Sequence, residues 1–297
     1  YRIKAGAKVL LFLVLTKILR YFFSLFTHFL SNFASHGSYP GYYPHVNHYI
    51  SNRQPIMQEQ TTGIVLRALK YGETKLIVDF LTERYGRMAA AVKIGSGVRG
   101  RSRRMLFQPL TVLSLYVDYR PGRDVQTLGE VSLAMTWRTL GMDPVKMTVG
   151  MFLSEVLYHA TRHAESDSSL YGFIIGSMRW LDESDTGTAN FHIAFLLHLT
   201  RQLGFLPSPH DYVPGAVFDL RSGEFMPESP MHPDFLSASD SHVMHSMLRM
   251  TYANMHLFSM SRAERRRVID IMIKYYRLHL PSFPELKSLA VLHQIFD

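Results

Sequence analysis

The chain of 297 residues contains no cysteine. That excludes disulfides, thiolate metal centres and cysteine nucleophiles together, and makes a reducing cytoplasm a compatible setting. Carboxylates are absent from two long stretches: residues 1–56 hold six Lys/Arg and no acid, and no Asp or Glu stands between Glu83 and Asp118. A clean apolar run is missing as well. Val9–Leu30 is broken by Lys17 and Arg20, which leaves less than the ~20 uninterrupted apolar residues of a membrane span. Neither a Ser/His/Asp signature nor a close pair of carboxylates in an apolar setting stands out along the chain, although a triad is assembled in space and not in sequence.

Positive charge is what the sequence does have, and it is unevenly placed. Of the formal +8, residues 57–140 carry 13 basic and 7 acidic side chains (+6), whereas 141–297 carry 13 and 17 (−4). The focus is Val92–Arg104, where Lys93, Arg99, Arg101, Arg103 and Arg104 stand without an anion; Arg84 and Arg87 lie just upstream. This stretch reads as a mobile basic loop, with Gly95, Gly97 and Gly100 letting the backbone flex or approach a ligand closely. A phosphate backbone is its natural complement, because each neutralised phosphate releases counterions.

The flanking segments alternate with period two, as strands do. Thr62–Lys70, Lys75–Leu81, Arg87–Ile94, Leu110–Tyr119 and Val125–Val131 are predicted strands, with Pro121-Gly122 suited to a type II turn. Leu76, Val78 and Phe80 share one face of the second, and Met88, Ala90, Val92 and Ile94 one face of the third. Short strands with little room for helices between them suggest a five-stranded OB-type β-barrel. Such barrels hold nucleic acid along a cationic groove and stack bases on aromatics. Tyr85, Phe107, Tyr116 and Tyr119 are the candidates.

Residues 141–297 read as helical, which makes the fold class α+β. Asp143-Pro144 is an N-cap and first-turn pair, and apolar spacing predicts helices from Val145, over Leu170–Leu181, Phe191–Leu203 and Ser241–Met255, and at Leu286–Phe296. Ser261 and Glu264 form a capping box for a helix reaching His279. Its first turns carry Arg262, Arg265, Arg266 and Arg267, a solvated face or a second contact for nucleic acid or an acidic tail. The Pro-rich insert 206–234 contains one predicted hairpin, Val217–Phe225, turning at Ser222-Gly223. Two further patterns fail on context. Gly95-Ser96-Gly97-Val98-Arg99-Gly100 has the dinucleotide spacing, but the expectation is that no helix follows it. Glu155, His159 and His163 are spaced to share a helix face, but no other ligand cluster supports a metal ion.

Taken in order, Gly63-Ile64-Val65-Leu66, Tyr71-Gly72-Glu73-Thr74, Thr82, Gly86, Phe107-Gln108-Pro109 and Glu130, then Leu203-Gly204-Phe205 and Leu286-Lys287-Ser288, resemble the bacterial DNA repair protein RecO family. The resemblance covers about Met57–Asp297. It implies an OB-fold domain followed by a helical domain and a non-enzymatic role in homologous recombination and repair. Such proteins bind single- and double-stranded DNA, anneal complementary strands and, with RecR and in some bacteria RecF, help RecA displace single-strand-binding protein. The family's basic surface maps onto Lys93, Arg99, Arg101, Arg103 and Arg104, and the expected DNA-binding set adds Arg84, Arg87, Tyr116 and Tyr119. Many members carry a four-cysteine zinc site; with no cysteine, no zinc or other cofactor is expected, and the 206–234 insert has to hold its shape by packing. The alternative is an OB-fold RNA-binding module without a repair role.

The expected organisation is therefore 57–140 as the nucleic-acid-binding barrel and 141–297 as the helical domain, in a cytoplasmic, nucleoid-associated protein. Residues 1–56 are read as upstream sequence ahead of a native start at Met57, because a coherent domain pattern begins directly after it. A signal or anchoring segment at Val9–Leu30, with His36–Pro55 as linker, is the competing reading.

Overall fold

Strands β1 (Glu59–Tyr71), β2 (Lys75–Thr82), β3 (Gly86–Lys93), β4 (Val112–Asp118) and β5 (Val125–Met135) close into a barrel in the order β1-β2-β3-β5-β4. All pairs are antiparallel except β3 with β5. This is the OB-type barrel expected from the alternation. Leu76, Val78, Phe80, Met88, Ala90, Val92 and Ile94 all point inward, against Leu113, Leu115 and Val117. The computed structural model describes residues 59–95 and 97–295, so both readings of residues 1–56 lie outside the described residues.

Barrel closure depends on β1 serving two partners. Its Glu59–Ile64 half pairs with β4 and its Gly63–Tyr71 stretch with β2, with a register shift between Val65 and Arg67. A bulge leaves a backbone group outside the ladder. Here the Leu66 carbonyl accepts a 2.7 Å hydrogen bond from Ser154 Oγ, so the irregularity becomes a tie to the helices.

The expectation of a mobile loop over Val92–Arg104 is corrected: Gly97–Met105 is a helix, α1. Its three glycines have structural roles. Gly95 and Gly97 take positive φ of 70° and 76°. Gly100 is buried, and a Cβ there would lie 2.5 Å from the Gly95 carbonyl oxygen. The dinucleotide spacing does open a helix, contrary to the reason given for dismissing it. The sheet is what fails that reading, since β3 pairs antiparallel with its sequence neighbour β2 in a closed barrel.

Downstream come α2 (Pro144–Ala160), α3 (Ser168–Glu183), α4 (Phe191–Gln202), α5 (Ala238–Met247), α6 (Arg262–His279) and α7 (Ser288–Ile295). The sequence-based cap at Asp143 is present, its carboxylate accepting from the Val145 and Lys146 amides, and so is the Ser261/Glu264 capping box. The helix predicted over Ser241–Met255 starts earlier and stops at Met247. Thr251 and Asn254 then cap each other, Thr251 N–H to Asn254 Oδ1 at 2.7 Å and Asn254 N–H to Thr251 Oγ1 at 3.3 Å, which redirects the chain.

The predicted hairpin is β6 (Val217–Asp219) and β7 (Glu224–Met226), joined by a third strand that the sequence did not announce, β8 (Phe235–Leu236). Phe218, Leu220, Phe225 and Leu236 bury its apolar side, and Asp234 pairs with Arg221 of the hairpin turn at 2.7 Å and ties the sheet to α6 through Lys274 at 3.0 Å. Glu155 does not face a ligand cluster: its carboxylate accepts from the Lys287 and Ser288 amides at the start of α7. Among the described residues no helix is long and apolar enough to cross a membrane.

Candidate nucleic-acid interface

The accessible cations gather where β1, β2 and β3 end. Tyr71 on β1 pairs with Lys75 on β2, and Lys75 pairs with Lys93 on β3, so the three side chains form one row on the outer face of the sheet. The Ile94 amide donates to the Thr74 carbonyl at 2.9 Å, joining the β1–β2 turn to the segment that leads into α1. Helix α1 then projects Arg101, Arg103 and Arg104 into solvent. Arg101 and Arg104, three residues apart, are neighbours on the helix surface. Arg103 and Arg104 occupy its last turn, where the helix dipole favours positive charge. None of Lys93, Arg101, Arg103 or Arg104 forms an ion pair among the described residues.

Other expected contacts are placed differently. Arg87 is turned inward: its side chain is 11% exposed and pairs with Asp79 at 2.9 Å. It also donates to the Tyr158 carbonyl at 3.0 Å and lies over the Tyr158 ring. Its charge is committed to the junction with the helices, because Asp79 is its diagonal neighbour on β2. Arg84 is exposed but pairs with Glu59 at 3.0 Å.

Among the aromatics, Phe107 is 2% exposed and packs in the barrel core, where it anchors the chain between α1 and β4. Tyr116 is half-buried on β4. Tyr119 is 37% exposed, but one face is stacked on Tyr85, with centroids 4.1 Å apart and planes at 11°. Tyr85 is itself held by a hydrogen bond to Glu59, and burial together with that carboxylate pushes its phenol up to about 12. The most exposed tyrosine of the barrel is one that the sequence reading passed over, Tyr71, at 54%. Its place beside Lys75 and Lys93 follows from two hairpin registers, set by the turns at 72–74 and 83–85.

The second basic cluster divides too. Arg262 and Arg266 are exposed, and neither forms an ion pair among the described residues. Arg265 turns in to donate to Asn190 Oδ1 at 3.1 Å and to the Met260 carbonyl at 3.3 Å, and Arg267 pairs with Asp240 at 2.6 Å. This face offers less free charge than the run of arginines suggested.

Comparison with known proteins agrees with this architecture. Residues 57–137 match the family model "Recombination protein O N terminal", and residues 142–290 match "Recombination protein O C terminal". The DNA repair protein RecO of Phocaeicola vulgatus is 41% identical over 241 residues, 81% of this chain and 100% of that protein. The RecO protein of Bacteroides fragilis is 38% identical over 242 residues and that of Flavobacterium psychrophilum 30% over 243, each with 81% of this chain and 100% of the relative covered. The chain belongs to the RecO family of DNA repair and recombination proteins.

Proposed function

We propose that this protein mediates recombinational repair by binding single- and double-stranded DNA at the α1 end of the barrel and annealing complementary strands. It acts without making or breaking covalent bonds. Phosphates of two strands are neutralised on one cationic surface, which lowers their mutual repulsion and lets base pairing proceed. The observation that carries this reading is the exposure of Lys93, Arg101, Arg103 and Arg104 with no carboxylate paired to any of them among the described residues. RecR, single-strand-binding protein and RecA are the partners that family membership suggests, with RecA loading on protein-coated DNA as the outcome. The zinc of other members has no counterpart in this proposal. The ion pairs of Asp234 and the buried Phe218 and Phe225 hold the insert instead.

The test is an annealing assay comparing the full chain with a variant in which Arg99, Arg101, Arg103 and Arg104 are alanine. Binding weakens on every sequence, annealing slows, and the dependence of affinity on salt becomes shallower. Affinity for DNA that shows no decline from low to moderate salt would overturn the reading.

A further inference from the structure

The outer-face row Tyr71, Lys75, Lys93 contains two residues that the basic-loop argument does not use. Tyr71 ends β1 at the turn to β2, and its ring, 54% exposed, forms neither a ring contact nor a hydrogen bond with the described residues. Tyrosines that only fill the barrel do not stand this way: Tyr85 and Tyr119 cover each other. Lys75 and Lys93, directly opposite one another across β2 and β3, are both exposed and free of ion pairs. Like charges directly opposite destabilise a sheet, so the pair is a local cost that an anion would relieve. Glu73 in the turn is the single carboxylate beside the row, leaving Glu73, Lys75 and Lys93 at a net +1.

An exposed aromatic ring at the end of a row of unpaired cations suits an unstacked nucleobase with its neighbouring phosphates. A duplex, whose bases are stacked on each other, cannot offer a base to that ring. We propose that Tyr71 is the base-stacking residue that lets this protein favour single-stranded over double-stranded DNA, with Lys75 and Lys93 holding the phosphates that lead away from the stacked base across β2 and β3. The inference rests on the proposed DNA-binding reading and adds to it a division of labour. The α1 arginines bind any DNA, and Tyr71 reads only strands whose bases are free.

The experiment measures binding of short oligothymidylate, and of a duplex of equal length, to the full chain and to Tyr71→Ala, Tyr71→Phe and Lys75→Ala/Lys93→Ala. Loss of one stacked base weakens single-strand binding by roughly tenfold. Tyr71→Ala therefore shows about that loss on the single strand, with duplex affinity changed less than about twofold. Tyr71→Phe, which keeps the ring, binds as the parent does, and the double lysine variant weakens both ligands. A 2-aminopurine base in the oligonucleotide is quenched by the parent and by Tyr71→Phe but not by Tyr71→Ala. Equal loss on both ligands, no loss on either, or a phenylalanine variant as weak as the alanine one would overturn the assignment of Tyr71 while leaving the DNA-binding reading intact. Absence of single-strand binding by the parent would overturn both. Tighter binding of oligouridylate with the same Tyr71 dependence would replace DNA by RNA as the ligand.

Discussion

The guanidinium carbon of Arg87 lies 4.4 Å from the centre of the Tyr158 ring, and that of Arg67 lies 4.9 Å from it. Two barrel arginines thus flank one tyrosine of α2, with Arg67 also donating to its hydroxyl at 3.0 Å. Asp79 balances Arg87 from the barrel side. Removing one partner of a largely buried pair leaves the other charge without compensation, at a cost of about 3 kcal/mol or more. Arg87→Ala is expected to lower the free energy of unfolding, measured by urea titration, by that amount while leaving the salt dependence of DNA affinity unchanged. A phosphate contact would show the reverse, a stable protein with a shallower salt slope.

Gly86 sits at the same junction. Its φ is +64°, and a Cβ there would meet the Ala164 carbonyl oxygen and the Glu165 backbone at 2.4 Å. The adjacent Arg87 amide donates to that Ala164 carbonyl at 2.8 Å, so the gap cannot widen without losing the bond. Gly86→Ala combines left-handed strain with a clash against backbone, and is expected to cost about 2 kcal/mol or more. Urea unfolding measures it. A neutral result would mean that the segment after α2 is free to move off the barrel.

Asp182 organises the link between barrel and helices. Its carboxylate accepts from the amides of Arg138 at 2.8 Å and of Thr139 and Leu140 at 2.7 Å. Burial alone would raise its pKa, but the amides of Arg138, Leu140 and Thr139, with Lys146 nearby, hold the group below its usual range. Lys146, itself buried, donates to the Asp182 carbonyl at 3.0 Å and to Thr139 Oγ1. Asp182→Ala strands these amides and removes the carboxylate charge near Lys146, and about 3 kcal/mol of stability is expected to go with them. Faster hydrogen exchange at Arg138–Leu140 would locate the loss in the link.

How far the sequence carried depends on whether the deciding partner was local. Leu76, Val78 and Phe80 alternate within one strand, Asp143 caps the helix that follows it, and Ser261 meets Glu264 one turn on. All of these were legible. Helix α1 was not, because it has no apolar stripe: its docking rests on Gly100 against the Gly95 carbonyl and on Phe107 inside the barrel, both products of tertiary structure. Arg87 looked like its basic neighbours because its partner carbonyl on Tyr158 is 71 residues away. Tyr71 was missed for a different reason. It lies just past the predicted strand Thr62–Lys70, at the turn, and only the register of three strands sets it on the outer face in one row with two lysines.

Acid should act on this protein first through its buried histidines and then, overlapping at the acid end, through a carboxylate. Burial first, then the charges of Arg67, Arg87 and Arg162, lowers His159 from 6.5 to about 4, and burial first, then Arg265 and His293, lowers His192 to about 3. A histidine whose folded pKa is depressed leaves stability intact above its unfolded value. The unfolded chain binds the extra proton as pH falls below that value, so stability drops from about 6.5 down through the folded pKa. The carboxylate of Asp182, lowered from 3.8, contributes only at more acid pH, where it too would have to take up a proton. His159→Phe keeps the edge contacts with Tyr158 and Phe283 and removes the titration. Its urea midpoint, compared with the parent across pH, is expected to fall less steeply between 6.5 and 4 and to run parallel to it at both higher and lower pH. Asp182→Asn is expected to flatten only the more acid limb, and a His159→Phe curve parallel to the parent throughout would place the acid sensitivity on other groups.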